Sequence, residues 1–427
     1  MLRKTMIALA LGAASPLTAA QPAPPPPAGL TIAGWDALVD RLRDLPPEML
    51  AKLPASMRDD PQVQQEVGRL ILASLAAHTL AAISGDVNHP VFLPYLNQTL
   101  NIGQPNADTV YRLAYISDAG IYRLRGRRSS MRLIKIAQTQ PLAGDPGGNA
   151  NNKFGASAAD EDVNRLHTDA QGNFDVLLSA TRPAGYSGDW WQLKPGTGRL
   201  LLRMVSSDWT KEREPTISIE RVDKPVARPR IAVADLEMRL RKLPVATALM
   251  AQAFVDHVVA LRQQGYVNKL KVFDISQMGG LSGQFYYEGA YELKDDEALI
   301  VSTKVPSGCA YRSLILTNEI YETTDWYNNQ SSLNDSQASP DPDGILRIIV
   351  SAKDPGVPNW LDTAGYPRGA IQGRWTNCSA QPIPSVEKVA IGKVQQYLPS
   401  GTPTITPAER EQAIRARRMA LQQRPLW

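Results

Sequence analysis

Between residues 63 and 83 apolar side chains recur at helical spacing, with Val67, Leu70, Ile71, Leu75 and Leu80 on one stripe around Ser74. The spacing predicts a helical block from Trp35 to about Ile83. Beyond Val91 the pattern shortens. Apolar-rich runs at 110–116, 120–125, 131–136, 174–178, 199–205 and 216–222 are each closed by Gly, Pro, Asn or Asp clusters, as in antiparallel sheet. A second helical block follows over 234–265, with Asp235 placed as N-cap and Pro244 as a kink or break. Strand-like runs return at 285–291, 298–304, 312–320, 345–350 and 370–374. Past a Pro-rich stretch at 381–407, residues 407–424 read as a basic helix with Pro407 at its start and Glu409 and Glu411 in its first turn. Its apolar stripe of Ala408, Ile414, Met419 and Leu421 is thin, which predicts a surface helix rather than a membrane binder.

The order helix, sheet, helix, sheet fits an α+β fold that is mainly β, and not the alternating units of a parallel-sheet protein. The implied divisions are a helical segment at 33–90, a first β-rich domain at 91–230, linking helices at 231–270, a second β-rich domain at 271–380, and a Pro-rich segment with a C-terminal helix at 381–427. No repeat of fixed period is present. Residues 1–20 read as a secretory signal peptide. Arg3 and Lys4 are its basic region, 6–14 its apolar stretch, and Thr18, Ala19 and Ala20 the small residues before the cut. A Pro-rich tether at 21–32 follows. The apolar stretch is too short to span a bilayer, so the expected location is periplasmic or secreted, with no stable membrane insertion after cleavage.

Charge narrows the partners. Without Arg3 and Lys4 the chain keeps 44 of its 46 basic residues against 42 acidic ones, and so near a balance that nucleic acid is not an expected partner. The two cysteines, Cys309 and Cys378, are either bridged, as an exported protein allows, or two buried thiols.

Three segments carry a family resemblance. The first is an Asn-x-Asp-Thr-x-Tyr pattern at 106–111, followed by a Tyr-Arg-x-Arg-Gly strand at 122–126. The second comprises 172–179, 191–196, Leu201 to Arg203, Asp208 with Trp209, and Ile219 to Arg221. The third and most specific is 325–334, with 341–344 and 354–365. Together they resemble the family catalogued as domain of unknown function 1214, and the 1254 family that often precedes it, across roughly 88–378. The resemblance implies β-sandwich or barrel-like domains, often in oligomers, and supplies no reaction.

The third segment gathers Tyr321, Asp325, Trp326, Tyr327, Asn328, Asn334, Asn359, Trp360 and Asp362. Aromatic faces beside amides and carboxylates suit a saccharide or other small organic ligand. On that reading Asp325 and Asp362 are the acid and base, Tyr321 or Arg312 steadies developing charge, and Trp326, Asn328, Asn334 and Trp360 bind. Asp108 and Arg112 form a second candidate cluster. The competing reading makes Asp341 to Gly344 and Asp354 to Gly356 turns, Trp360 core, and the amides loop caps.

Other chemistries lack their motifs. Residues 280–284 fail the esterase elbow at the last position, 144–148 lack the Lys of a phosphate loop, and His78, His89, His167 and His257 stand in no metal-ligand spacing. No cofactor or metal is expected. The sequence leaves two functions open: an exported, metal-independent hydrolase or lyase acting on a carbohydrate or small organic substrate, or a non-catalytic ligand-binding or envelope scaffold protein. Convergence of Asp325, Asp362 and Tyr321 in one pocket distinguishes them.

Overall fold

The computed structural model describes residues 31–145, 147–148, 155–275, 280–281 and 283–424. The signal peptide, most of the Pro-rich tether, Pro146 of the 144–148 turn and Ser282 of the 280–284 motif lie outside the described residues. The fold is α+β and mainly β, with two β-sandwiches joined and flanked by a helical layer.

That layer comprises α1 (Trp35–Lys52), α2 (Ala55–Arg58), α3 (Pro61–Ser84) and α4 (Val233–Gln263). Asp60 caps α3 by accepting from the Gln62 N–H, and Pro61 occupies the first turn, where its missing N–H costs nothing. One face of α3, including Val63, Val67, Leu70 and Ile71, packs with Leu45 and Met49 of α1 and Ala251 and Val255 of α4. Two expectations for α4 need correction. Pro244 does not break it: the helix runs unbroken for 31 residues, because burial from Leu243 to Leu261 outweighs the roughly 3 kcal/mol cost of an interior proline. Nor is Asp235 the N-cap. Ala232 holds that position without a side-chain bond, and Asp235 lies in the first turn, where its charge still meets the helix dipole. By length and composition alone α3 and α4 are apolar enough to cross a membrane; here they pack on each other and on α1.

The first sandwich contains β1 (Leu93–Pro94), β2 (Thr109–Tyr115), β3 (Tyr122–Arg127), β4 (Leu133–Thr139) and β5 (Ser157–Asp162). It continues with β6 (Asn173–Ser179), β7 (Asp189–Gln192), β8 (Arg199–Val205) and β9 (Thr216–Arg221). One sheet has the order β1-β2-β8-β4-β5 and the other β7-β6-β3-β9. Leu124, Ile134, Ile136, Val176, Leu200, Leu202 and Met204 fill the space between them. The alternate positions of β2 and β8, including Tyr111 opposite Arg203, therefore point away from this core.

The second sandwich contains β10 (Lys271–Phe273), β11 (Gln284–Glu292), β12 (Glu297–Lys304), β13 (Tyr311–Leu316) and β14 (Ser332–Asn334). It is completed by β15 (Ile345–Ser351), β16 (Trp360–Asp362), β17 (Arg368–Thr376) and β18 (Ser385–Ala390). Its sheets run β10-β11-β17-β13-β14 and β16-β15-β12-β18, over a core of Tyr287, Leu299, Leu314, Val350, Ile371 and Trp375. Pairing of β18 with β12 places residues expected in the Pro-rich tail inside this sandwich. The run expected over 312–320 ends as strand at Leu316 and turns sharply after it. Cys309 and Cys378, just outside the paired ends of β13 and β17, form a disulfide.

The C-terminal helix α5 (Pro407–Gln422) opens with a capping box between Thr406 and Glu409. It is the surface helix its thin apolar stripe predicts, exposed over most of its length, and arginines dock it. Arg410 binds Asp354 at 2.8 Å, Gln330 and the Val357 carbonyl. Arg417 stacks over Trp209 and bonds the Trp326 carbonyl, while Arg424 reaches Glu214 and the carbonyls of Ala107 and Asp108. The helix thereby touches both sandwiches.

Candidate functional site

The outer face of β2 and β8 turns toward the outer face of β11 and β17, and a cavity of about 120 Å³ lies between them. Tyr111, Leu201, Arg203 and Val205 form one wall, and Gln284, Tyr286, Gln372 and Arg374 the other. Met250 and Phe254 of α4 close one side, beside the 95–106 connection. That connection packs so tightly that a Cβ on Gly103 would fall 2.1 Å from the Phe254 ring, and the positive φ at Gly103 also demands glycine. The described lining contains three arginines, Arg199, Arg203 and Arg374, and no carboxylate.

Arg374 is almost wholly buried. Its Nη2 donates to Gln372 Oε1 at 2.6 Å, its guanidinium lies 5.3 Å from the Tyr286 ring centre, and its Nε has no partner. Burial pulls its pKa down, but Tyr286, Tyr311, Tyr111 and Asp108 outweigh that, so the group stays charged. Arg199, by contrast, is paired with Asp145 at 3.1 Å.

Tyr321 reaches the cavity from the turn after β13. Asn318 shapes that turn by accepting from the N–H groups of Ile320 and Glu322, and Tyr321 stands at φ 68°, a strained conformation for a bulky residue. Its carbonyl accepts from the N–H of Gln104, itself at φ 58°, so two left-handed residues meet at the cavity rim. The Tyr321 hydroxyl receives Gln372 Nε2 at 2.9 Å and faces Glu288 Oε2 at 3.4 Å. Burial, reinforced by Glu288, raises its pKa well above the ordinary tyrosine value, so it remains a proton donor. His257 of α4 contacts the same Glu288 oxygen at 2.8 Å, while Glu288 Oε1 has no partner. A polar chain thus runs from His257 through Glu288, Tyr321 and Gln372 to Arg374.

Of the predicted site residues only Tyr321 lines this cavity. Asp325 and Asp362 do not converge on it: Asp325 caps the turn at Tyr327 and Asn328, and Asp362 accepts from the Ala364 N–H. Their turn-forming geometry wins because each carboxylate satisfies local backbone donors. Burial raises the Asp362 carboxyl, with the Ala364 N–H opposing. The aromatic planes expected for a saccharide are enclosed. Trp360 is 5% exposed, bonded to Ser351 and covered by Arg410, and Trp326 packs with Trp209 and Ala420. Arg312 donates to the Ala338 carbonyl, and Asn328 bonds Asp325. Arg112 is half-buried, which lowers its pKa, with Glu214 opposing. Asp108 and Asn334, far apart in sequence, do meet: Asn334 Nδ2 bonds Asp108 at 2.7 Å in a buried knot between the sandwiches, with Tyr311 and Trp209 as further donors.

The residues missed by sequence are Arg374, Gln372, Glu288, Tyr286, Arg203 and Tyr111. All sit at alternate strand positions, where polar residues read as a solvated face. Among the described residues no cluster of three or more His, Cys, Asp or Glu is arranged to hold a metal.

No family model matches the chain, and no curated protein matches it. Among solved structures it is similar to an uncharacterised protein from Burkholderia cenocepacia, at 27% identity over 84% of this chain and 98% of that one, with a TM-score of 0.75. A protein from Vibrio parahaemolyticus aligns at 13% identity over 76% of this chain and 98% of that one, with a TM-score of 0.41. The first likeness shows the same mainly β architecture.

Proposed function

We propose that this is an exported protein of the 1214 type that binds a small organic molecule in the cavity between its sandwiches. The observation that carries the reading is the cavity wall itself, where strained Tyr321 and buried Arg374 are presented beside Phe254 and Met250. Small-molecule sites combine an apolar enclosure with a few fixed polar groups in this way. Export is supported by the character of residues 1–20 and by the Cys309–Cys378 disulfide, which suits an oxidising compartment. A thermal-shift screen of small organic compounds on the mature protein tests binding, since a ligand of the folded state raises the melting temperature with its occupancy. Intact mass of the exported protein tests export, with a chain beginning near Gln21 expected; retention of Met1 contradicts it.

A metal-independent enzyme is the second reading. It is favoured by the His257–Glu288–Tyr321 chain, which places a neutral hydroxyl at the cavity with a carboxylate behind it, an arrangement fit for proton donation. Turnover of a compound found in the screen, lost in Tyr321→Phe while binding persists, distinguishes catalyst from carrier.

A further inference from the structure

The ligand's chemical class is written in the charge of the cavity. Arginine cannot shed its proton inside a protein, so a buried guanidinium needs a counter-charge or a complete set of acceptors. Arg374 has neither among the described residues: Gln372 supplies a neutral oxygen, Tyr286 a ring face, and Nε is left without a partner. The carboxylates of Asp108 and Glu288 hold other partners, although Glu288 uses only its Oε2. Asp108, whose field reaches Arg374, accepts from Tyr311, Trp209 and Asn334, and Glu288 is held by His257 and Tyr321. Arg203 adds a second positive group on the facing wall.

Resting on the reading of this cavity as a ligand site, we propose that its occupant is a small organic carboxylate. The carboxylate lies against the guanidinium of Arg374, which lines the cavity and has no carboxylate partner among the described residues, in a charge-assisted bond. The apolar body lies among Leu201, Met250, Phe254 and Phe273, which an inorganic anion would leave unfilled. The volume, about 120 Å³, sets the scale: it is somewhat below the roughly 150 Å³ of a cavity that accommodates benzene, so a short branched chain or at most a single ring is the size of the apolar body.

The test is a melting-temperature titration of the mature protein with benzoate, benzamide and sodium phosphate at matched ionic strength and neutral pH. Benzoate is expected to raise the melting temperature, with benzamide and phosphate having little effect. In Arg374→Met the benzoate affinity falls by at least about tenfold, as loss of a charge-assisted bond requires. Should that variant not fold, Arg203→Met on the opposite wall is expected to weaken benzoate and leave benzamide unchanged. Equal shifts from benzoate and benzamide overturn the carboxylate assignment while the cavity remains a ligand site. A phosphate shift matching that of benzoate overturns the organic part. No shift from any of the three, or from a panel of neutral compounds of similar size, removes both this inference and the ligand-site reading beneath it.

Discussion

Two buried charges lie in the same interface between the sandwiches, and they are treated in opposite ways. Asp108 is 1% exposed and surrounded by donors: the Tyr311 hydroxyl at 2.6 Å, Asn334 at 2.7 Å and the Trp209 ring N–H at 2.8 Å. Two of these donors belong to the second sandwich, so the carboxylate ties the halves together, and Arg424, just past α5, donates to its backbone carbonyl. Arg374, 3% exposed, has among the described residues no partner for its Nε and no carboxylate partner, and it lines a cavity instead of a packed wall. The saturated charge organises structure; the other leaves a buried guanidinium at a cavity wall, the feature on which the proposed ligand site rests. Glu319 is a third case. One of its oxygens has no partner and Arg368 stands 3.7 Å from the other, but a carboxyl, unlike a guanidinium, can neutralise itself by taking a proton.

The sharpest way to break this contrast is Asp108→Ala, which strands three buried donors at once. A loss of about 3–5 kcal/mol in urea unfolding is expected. A loss below about 1 kcal/mol would make the knot incidental. Next in size is Glu319→Gln. Burial, with Glu66 adding to it, pushes the Glu319 carboxyl up to about 7 from its ordinary value of 4.5. The folded state therefore holds this proton more tightly than the unfolded chain, a contribution present in full below the unfolded value and lost as pH rises through about 7. The glutamine variant escapes that loss. It should be more stable than the parent by up to about 3 kcal/mol at pH 8, with the gap closing toward pH 4. A gap that does not vary with pH contradicts the assignment.

Arg374→Met is expected to do the reverse of Asp108→Ala in the ligand-free protein. Removing a buried charge that no described carboxylate pairs directly should leave stability unchanged or raise it by about 1–2 kcal/mol in the same urea titration. A loss resembling that of Asp108→Ala would place Arg374 among the structural charges. The smallest effect belongs to Tyr321→Phe, which removes the hydroxyl that Gln372 and Glu288 share. About 1 kcal/mol of stability is at stake. Circular dichroism melting resolves it, and a much larger loss would make the polar chain a structural device.

Legibility in the sequence followed the range of the physics. The 3.6-residue stripe around Val67 and Leu70, the strand of residues 199–205 and the order of helical and β-rich blocks reflect local periodicity, and each is present in the fold. Local rules failed where packing intervened. Burial carries α4 through Pro244, and pairing with β12 draws residues 385–390 out of the expected Pro-rich tail into the second sandwich. The 325–362 segment looked dense in site chemistry because turns and caps use the same Asp and Asn residues that ligands do.

The chain by itself determined where the main helical blocks and most of the longer strands fall, that the fold is mainly β, and that Tyr321 belonged among the candidates. Only the tertiary structure decided that Cys309 meets Cys378, that Asp108 meets Asn334, and that Arg374 lines a cavity with no carboxylate among its described lining residues. Alternation along a strand says which residues share a face, whereas whether that face meets water or a second sheet depends on residues hundreds of positions away.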